Sequence, residues 1–459
     1  MEKKNLWTVY SEEQLAHLES LNEDYKKYLD AGKTERECVR EAIKIAEAAG
    51  YKNFEEVMAA GETVKAGDKL YAACMEKTLA LFCIGTEPME KGMNILGAHV
   101  DSPRIDLKQN PLYENAEFAY LDTHYYGGIK KYQWLTTPLA IHGVVCRKDG
   151  SVENIVIGET DTDPVLMFTD ILPHLGADQM SGTAAKIIEG EKLDLLIGNK
   201  PAKDVEKDAV KATIEAILKE KYNIEEEDFI SAEIEIVPAG KSRDCGLDRS
   251  MIAGYGHDDR VCAYPSLVAM LEVEAPKRTT CCLLVDKEEI GSVGATGMQS
   301  RFFENVVAEI LYAMGEDSNI KVRRTLANSK MLSSDVSAAF DPMFEGCFER
   351  KNTAFLGKGI AINKYTGARG KAGSNDANPE YIAHLRNILA EAGVQFQTAE
   401  LGRVDAGGGG TIAYILANYG MEVIDSGVPV LNMHAPWEIV SKVDVYEAYR
   451  AYKVFLQEA

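Results

Sequence analysis

Strand-like and helix-like segments alternate regularly after residue 245, and this pattern constrains the fold of the chain more than any other feature. Apolar runs such as "TTCCLLVD" and "MEVIDSGV" alternate with amphipathic runs such as "QSRFFENVVAEILYAM". Strands that alternate with helices of about 10–16 residues are typical of a largely parallel sheet with helices on both faces. We therefore predict an α/β fold of three layers, built on a mixed, largely parallel sheet.

The segments before residue 245 do not show this regular alternation of strands and helices. Residues 11–49 predict helices that end at Gly50, and "DKLYAACMEKTLALFCIG" predicts a pair of strands. Residues 106–240 carry β-rich segments such as "PLAIHGVVC", "VENIVIGE" and "PVLMFTDILPHL", with a charged helical stretch at 204–220. We predict one catalytic domain in two parts, 1–105 and 241–459, interrupted by an inserted β-rich domain at 106–240.

The charge balance excludes two classes of partner. The chain of 459 residues has 72 acidic and 50 basic residues, a formal net charge of −22. Nucleic acids and anionic membranes select basic surfaces, so neither is an expected partner. No apolar run reaches the roughly 18 residues of a membrane span, and the N-terminus lacks the apolar core of a signal peptide. The nine cysteines include no CxxC pair, which favours reduced, buried thiols in a cytoplasmic protein.

Acidic residues and histidines follow five of the strand-like runs. Each cluster alone is weak evidence, because an adjacent acid pair usually lies in a solvated turn. Together, at the strand ends of one parallel sheet, imidazole and carboxylate groups suit two zinc, cobalt or manganese ions better than calcium or magnesium. A glutamate beside a metal-binding glutamate is also well placed to transfer protons. The clusters are "GAHVDSPR" (His99, Asp101), "GYGHDDRVC" (Asp258, Asp259), "VDKEEIGS" (Glu288, Glu289), "MLSSDVSAAFDP" (Asp335) and "VLNMHAPWE" (His434).

These motifs resemble the aspartyl aminopeptidase/aminopeptidase I family of dinuclear metallopeptidases, over nearly the whole chain. The resemblance implies two divalent metal ions per subunit, zinc or alternatively cobalt or manganese. It implies that Glu288 is the general base and that Asp101 orients a metal-binding histidine. The family often has Asn at the position of Asp259, so the role of Asp259 stays open. The implied metal ligands are His99, Asp258, Glu289, Asp335 and His434.

The resemblance also implies hydrolysis of single N-terminal residues from peptides, preferentially Asp and Glu. An acidic side chain needs a cation, and the glycine-rich segment "AINKYTGARGKAGSND" supplies Lys364, Arg369 and Lys371. A solvated flexible loop explains the same residues equally well. The family also contains enzymes that prefer neutral, leucine-like N-termini, so both preferences remain open.

Two further elements are candidates for substrate contacts. His174, in "ILPHLGADQM", resembles a histidine of the inserted domain that reaches the active site of a neighbouring subunit, although a surface-loop histidine is the alternative. The run "GGGTIAYILANYG" predicts a helix. "DAGGGGTIAYIL", with Gly410 and Thr411, predicts a turn that leads into this helix and could present backbone N–H groups to a carbonyl or carboxylate. A plain tight turn is the alternative. The resemblance further implies that residues 106–240 mediate dimerisation within a dodecamer.

Two other functions compete with the aminopeptidase. A related dinuclear amidohydrolase, carboxypeptidase or deblocking aminopeptidase could use the same ligands. A non-catalytic metal store is the third possibility, but storage needs no general base, and Glu288 argues against it. The insertion at 106–240, together with "KEEIGS" and "SSDVSAAFDP", favours the aminopeptidase.

Overall fold

The computed structural model describes residues 3–459, which divide into two compact units. The first unit extends to Asp101 and also contains Ser242–Met433 and Glu438–Ala459. The second contains Ser102–Lys241 and the short segment His434–Trp437. The domain limits 1–105, 106–240 and 241–459 stay a prediction, as does a dimerisation role for the insertion; residues 1–2 lie outside the described part.

Helices and strands contribute to both units. Within residues 3–459, no helix is long and apolar enough to cross a membrane. The α-helices are α1 Glu12–Ala31, α2 Glu35–Ala48, α3 Phe54–Ala59, α4 Ala177–Ser181, α5 Ala209–Tyr222, α6 His257–Leu271, α7 Phe302–Ala313, α8 Asn319–Ala327, α9 Pro379–Glu391, α10 Ala413–Ala417 and α11 Lys442–Glu458. The strands are β1 Lys52–Asn53, β2 Lys69–Cys74, β3 Thr78–Cys83, β4 Asn94–His99, β5 Arg104–Asn115, β6 Phe118–Tyr126, β7 Leu139–Cys146, β8 Val152–Ile157, β9 Leu195–Gly198, β10 Ala232–Pro238, β11 Arg243–Cys245, β12 Met251–Gly254, β13 Thr280–Val285, β14 Lys330–Ser333, β15 Ser337–Ala338, β16 Ile360–Asn363, β17 Phe396–Thr398, β18 Glu422–Gly427, β19 Pro429–Leu431 and β20 Glu438–Ser441.

A nine-stranded sheet forms the centre of the first unit, in the order β1-β2-β3-β13-β4-β14-β18-β16-β17. Its four central strands, β13, β4, β14 and β18, run parallel, and antiparallel pairs lie on either side of them. Alternate residues of β13 enter different cores: Leu284 packs on the side of α1, α6 and α11, and Leu283 on the side of α7. Helices therefore cover both faces, and the predicted three-layer α/β fold is confirmed.

The N-terminal helices begin and end where local chemistry favours it. Ser11 and Gln14 form a capping box at the start of α1, and Thr34 and Glu37 form one at the start of α2. Each box satisfies backbone N–H groups that have no partner inside the helix. Gly50, just beyond α2, has φ +88°, a left-handed conformation that ends helices at little cost for glycine.

A second sheet in the first unit is absent from the sequence prediction. Its five strands, in the order β11-β12-β20-β19-β15, are only two to four residues long. Runs this short carry too little periodicity to be recognised. In this sheet β20 brings Glu438 to the beginning of α6.

Three predictions about local structure are wrong. "GGGTIAYILANYG" forms a helix only at Ala413–Ala417, since consecutive glycines lose too much backbone entropy to join it. "PVLMFTDILPHL" forms no regular strand and makes only isolated bridges at Leu166, Met167 and Phe168. The expectation of buried thiols also fails at Cys347, which is exposed, although all nine cysteines are free.

The second unit is built on an antiparallel sheet of six strands, in the order β8-β7-β10-β5-β6-β9. Helix α5 contributes the buried side chains Val210 and Ile214. The charged helical stretch expected at 204–220 thus occurs a few residues later, at Ala209–Tyr222. The β-rich character expected of this part of the chain is observed.

Asp444, in the first turn of α11, predicts how the stability of the first unit changes with pH. Its carboxylate accepts hydrogen bonds from the backbone N–H groups of Gly357 at 2.6 Å and Gly359 at 2.7 Å. Burial raises its pKa from 3.8 to about 8, although these hydrogen bonds oppose the shift. Between those two values the folded state holds a proton that the unfolded state has released. This group therefore makes stability fall as pH rises, by up to about 1.4 kcal/mol per pH unit.

We expect Asp444→Asn to remove this contribution, so that the free energy of unfolding falls less steeply from pH 5 to pH 7 than in the parent. Loss of one backbone hydrogen bond shifts the curve of unfolding free energy against pH but leaves the slope of that curve unchanged. Urea unfolding at three pH values measures the slope, and Asp161→Asn, an exposed aspartate, is the matched control. Parallel curves for Asp444→Asn and the parent would contradict the expectation.

Candidate active site

Three of the predicted site segments in the first unit lie at the ends of neighbouring parallel strands. β4 ends at His99, β13 ends just before the turn that carries Glu288 and Glu289, and β14 ends just before Asp335. These strands are adjacent, in the order β13-β4-β14. Because the carboxyl ends of parallel strands meet at one edge of a sheet, the three segments converge there.

His99 is buried and hydrogen-bonded through both ring nitrogens. Its Nδ1 lies 2.9 Å from the carbonyl oxygen of Asp101 and 3.3 Å from Asp101 Oδ1. Its Nε2 lies 3.2 Å from Asp258 Oδ1 and 3.8 Å from Glu288 Oε2. Donation from Nδ1 to Asp101 leaves Nε2 as the nitrogen that faces the carboxylates, the usual arrangement for a metal-binding histidine.

Asp101 does more than the sequence indicates. Its Oδ1 accepts a hydrogen bond from the backbone N–H of Glu288 at 3.1 Å, and its Oδ2 accepts one from Glu289 at 3.2 Å. The turn begins at Lys287, with φ +67°, and ends at Gly291, with φ +97°. One buried carboxylate therefore holds both the imidazole of His99 and the turn of the two glutamates.

Asp258 lies at the beginning of α6, where it and Asp259 depart from helical conformation and are joined by a cis peptide bond. The backbone N–H of Asp258 donates to Glu438 Oε2 at 2.9 Å. Asp259 Oδ2 accepts from the backbone N–H of His99 at 3.2 Å, so Asp259 supports a neighbouring segment. Sequence reasoning left Asp259 open and gave no role to Glu438, although Glu438 ends the motif "VLNMHAPWE".

The donor groups fit a divalent cation. In each of two groups of three residues, one ligand atom from each residue lies within 4.8 Å of the others: His99 with Glu288 and Glu289, and His99 with Asp258 and Asp335. Imidazole combined with carboxylates is a donor set that suits zinc.

The electrostatics of the cluster also favour a positive charge. Burial lowers the pKa of His99, but hydrogen bonds to Asp101 and Asp258 outweigh it and hold the pKa well above its usual value. Burial, reinforced by Glu288 and Asp259, raises the pKa of Asp335. Carboxylates this close repel one another, so protons, or a bound cation, stabilise the cluster.

His434 belongs to the second unit. Its Nδ1 lies 2.9 Å from the carbonyl oxygen of Gly128, to which it can donate, and this tautomer directs Nε2 away as the acceptor nitrogen. A Cβ at position 128 would lie 3.3 Å from Nδ1, so glycine there gives the ring room. The ligand role of His434 stays a prediction.

The basic residues predicted for substrate recognition have other partners. Lys364 and Lys371 both pair with Asp376, Lys371 at 3.1 Å, and these contacts lower the pKa of Asp376. Arg369 lines a cavity of about 210 Å³ together with Lys371 and with Arg403, a residue that sequence reasoning missed; Glu400 and Asp405 also line it. The two lysines thus share the charge of Asp376, whereas no such pair is seen for Arg369 among the described residues.

The other residues predicted to contact substrate differ in their exposure to solvent. His174 is exposed in the second unit, in an irregular segment with exposed apolar side chains such as Leu172 and Leu175. Gly410 is exposed, but Thr411 is buried and its hydroxyl accepts from the backbone N–H of Ala413 at 3.3 Å. The helix that follows Thr411 has only five residues, which weakens the idea of an anion site at its N-terminus.

Comparisons with known proteins point to one family of metallopeptidases. The family described as "Aminopeptidase I zinc metalloprotease (M18)" matches residues 28–456. The probable M18 family aminopeptidase 1 of Clostridium acetobutylicum is 60% identical over 456 residues, covering 99% of this chain and 98% of its own. The crystal structure of aminopeptidase I from Clostridium acetobutylicum is 59% identical, covers 99% of both chains and gives a TM-score of 0.93. That of an M18 aminopeptidase from Thermotoga maritima is 42% identical, covers 100% of both chains and gives a TM-score of 0.95.

The imidazole and carboxylates at the strand ends form a set of donor groups that suits zinc. The family match covers nearly the whole chain. The resemblance read from the five motifs is confirmed, and the chain belongs to the aminopeptidase I (M18) family of zinc metalloproteases, as a metal-dependent aminopeptidase.

Proposed function

We propose that this metalloaminopeptidase hydrolyses single N-terminal residues at a dinuclear zinc site, with Glu288 as the general base. The observation that carries the proposal is the turn of Glu288 and Glu289, which Asp101 holds by two backbone hydrogen bonds beside the imidazole of His99. In this position one glutamate can bind metal while its neighbour exchanges protons with water.

We assign Asp258 as the ligand shared by two ions. His99 and Asp335 would complete one set of ligands, and Glu289 and His434 the other. Zinc at this site would supply Lewis acidity, which polarises the scissile carbonyl and makes water more acidic. Cobalt and manganese suit the same mixture of imidazole and carboxylate.

The chain's own residues carry the proton. In the proposed reaction, Glu288 takes a proton from the attacking water through a carboxylate oxygen. It then delivers that proton to the nitrogen of the leaving amine as the peptide bond breaks. Asp101 keeps both the imidazole and this carboxylate in place, so its role is positioning. The proton that leaves the water ends on the amine, and Glu288 is regenerated as a carboxylate.

We further propose a preference for N-terminal Asp and Glu, supported by the cavity that Arg369 and Arg403 line. In a chain of net charge −22, an acidic side chain needs a local basic site of this kind. We expect aspartyl and glutamyl anilides to be cleaved faster than leucyl anilide. We expect Arg369→Ala to lower kcat/KM for the acidic substrates by roughly tenfold or more, a typical loss for one charged contact.

Initial rates on the three anilides measure this preference, and Arg323→Ala, an exposed arginine of α8, is the control. Preference for the leucyl substrate would support the neutral alternative and leave the mechanism intact. Acetyl-aspartyl anilide should be inert, whereas a deblocking enzyme or general amidohydrolase would cleave it.

We also propose that the protein forms homo-oligomers, dimers through residues 106–240 and then dodecamers, in the cytoplasm. The second unit supports a contact surface, because Leu175 is 72% exposed and Met180 74% exposed. Contiguous patches of exposed apolar side chains are typical of association surfaces. Light scattering of the purified protein tests the assembly.

A further inference from the structure

Arg260 is a buried cation that the proposed reaction does not use. It belongs to α6, directly after Asp258 and Asp259, and its side chain is among the largest that the fold buries completely, with 1% exposed. A guanidinium group stays protonated in proteins, and burying its charge is unfavourable unless hydrogen bonds compensate. The partners of this group therefore indicate what it stabilises.

Arg260 donates to two main-chain carbonyl groups on different segments. Its Nε donates to the carbonyl oxygen of Val100 at 3.3 Å, and its Nη2 donates to that of Lys33 at 2.9 Å. The guanidinium carbon lies 5.3 Å from the centre of the Tyr255 ring, within the range of a cation–π contact. Arg260 thus connects α6 with the residue after β4 and with the connection between α1 and α2.

Val100 stands between two residues of the candidate active site. The imidazole of His99 faces Asp258, and the carboxylate of Asp101 accepts the two hydrogen bonds from the turn of the glutamates. Because a peptide group is planar, a fixed carbonyl of Val100 also fixes the direction in which the chain enters Asp101. The contact with Arg260 therefore acts on the backbone from which both side chains project.

Strand pairing ends at this segment, and side chains of α6 take its place. The register of β14 with β4 extends only to Gly97. Two residues later, the backbone N–H of His99 donates to Asp259 Oδ2 at 3.2 Å, and the next residue, Val100, accepts from Arg260. Two neighbouring side chains of α6 therefore hold the chain where its pairing with β14 has ended.

The beginning of α6 has a backbone that permits this double contact. Successive side chains of a regular helix point about 100° apart. Asp258 and Asp259 instead have non-helical angles, with ψ of 108° and 22°. Asp259 and Arg260 can therefore reach adjacent residues of one segment, while Asp258 faces the imidazole of His99 at 3.2 Å. The double contact and a proposed metal ligand thus lie on consecutive residues.

We propose that Arg260 is a positioning residue, whose guanidinium group holds the backbone of Val100 against α6 and thereby keeps the imidazole of His99 beside the carboxylate of Asp258. The consequence for metal binding rests on the proposed function. The structural part, that Arg260 immobilises residues 99–101, holds without any assumed activity.

The sign of the effect on zinc binding separates positioning from simple charge. If Arg260 acted only through its charge, it would repel a bound cation, and its removal would strengthen zinc binding. If it positions the ligand segment, its removal weakens zinc binding instead. Loss of a group that supports a metal ligand typically lowers metal affinity 10–100-fold, roughly the size of effect expected here.

Arg260→Met, which removes the donors and keeps an unbranched stem, tests both parts. In the metal-free protein, we expect the backbone amides of residues 99–101 to exchange hydrogen at least fivefold faster, as measured by mass spectrometry. We expect the dissociation constant for zinc, measured by competition with a chelator, to rise roughly tenfold or more. Arg260→Lys keeps the charge but not the planar arrangement of donors, so it should also bind zinc more weakly than the parent and guards against misfolding of Arg260→Met.

Leu389→Ala, which truncates a buried side chain of α9, is the control for loss of stability and should leave both quantities within twofold of the parent. Unchanged exchange in both Arg260 variants overturns the proposal, as does tighter zinc binding by Arg260→Met. Equal changes in Leu389→Ala would also overturn it, because they would reflect general destabilisation. If the parent binds no zinc, the proposed function fails, while hydrogen exchange still decides whether Arg260 holds residues 99–101.

Discussion

Replacing Glu288 with Gln is expected to lower kcat by about 10²–10⁴-fold, the usual contribution of a general base, while bound metal stays at the parent level. Glutamine has nearly the same shape and keeps the backbone N–H that donates to Asp101. It lacks only the carboxylate oxygen that would accept a proton from water. Turnover should therefore be lost without loss of the fold or the metal.

Two measurements made on the same preparation decide this prediction: kcat on an aspartyl anilide, and zinc per subunit by elemental analysis. Glu309→Gln, an exposed glutamate of α7, serves as the matched control. A fully active Glu288→Gln enzyme would show that another group takes the proton. A variant that is inactive because it has lost metal would make Glu288 a ligand.

Asp335→Ala should instead remove metal. The carboxylate belongs to a group with His99 and Asp258 whose ligand atoms lie within 4.8 Å of one another. Alanine leaves an imidazole and one carboxylate, too few protein ligands for a stable zinc site. We expect metal per subunit to fall by about half under the proposed dinuclear assignment, with activity reduced at least as strongly as in Glu288→Gln.

Thermal unfolding gives this prediction a second readout. A ligand that binds only the folded state stabilises it, so added zinc should raise the Tm of the chelator-treated parent more than that of Asp335→Ala. Asp317→Ala, an exposed aspartate, is the control for loss of a carboxylate as such. An unchanged metal content in Asp335→Ala would refute the assignment of this ligand.

The sequence was sufficient to predict which candidate site residues lie at the ends of strands. The runs ending near His99, Glu288 and Asp335 could be recognised locally, and the parallel order of their strands then brings them to one edge. The contacts made by Glu438 and Asp259 could not be predicted in this way, although both residues stand in the quoted motifs. Glu438 reaches the backbone of Asp258 from 180 residues further along the chain, through a sheet whose strands are too short to recognise.

The substrate side of the site was less predictable for another reason. Lys364, Arg369 and Lys371 looked equivalent in the sequence, but Asp376 pairs with both lysines, and Arg403 joins Arg369 at the same cavity. Loop conformation, which local sequence determines weakly, decides which charges neutralise one another. The glycine run before Thr411 misled for the same reason, since it lies outside the helix that was predicted to contain it.

The hydrogen bonds of Asp101 have a consequence for thermal motion. Because one carboxylate anchors the imidazole of His99 and the amides of Glu288 and Glu289, a displacement of Asp101 moves all three together. We therefore expect the positional fluctuations of His99 and of the two glutamates to be correlated, so that their separations vary less than their positions do. Under the proposed assignment, the distance between the metal-binding imidazole and the base would then change little when the edge of the sheet moves.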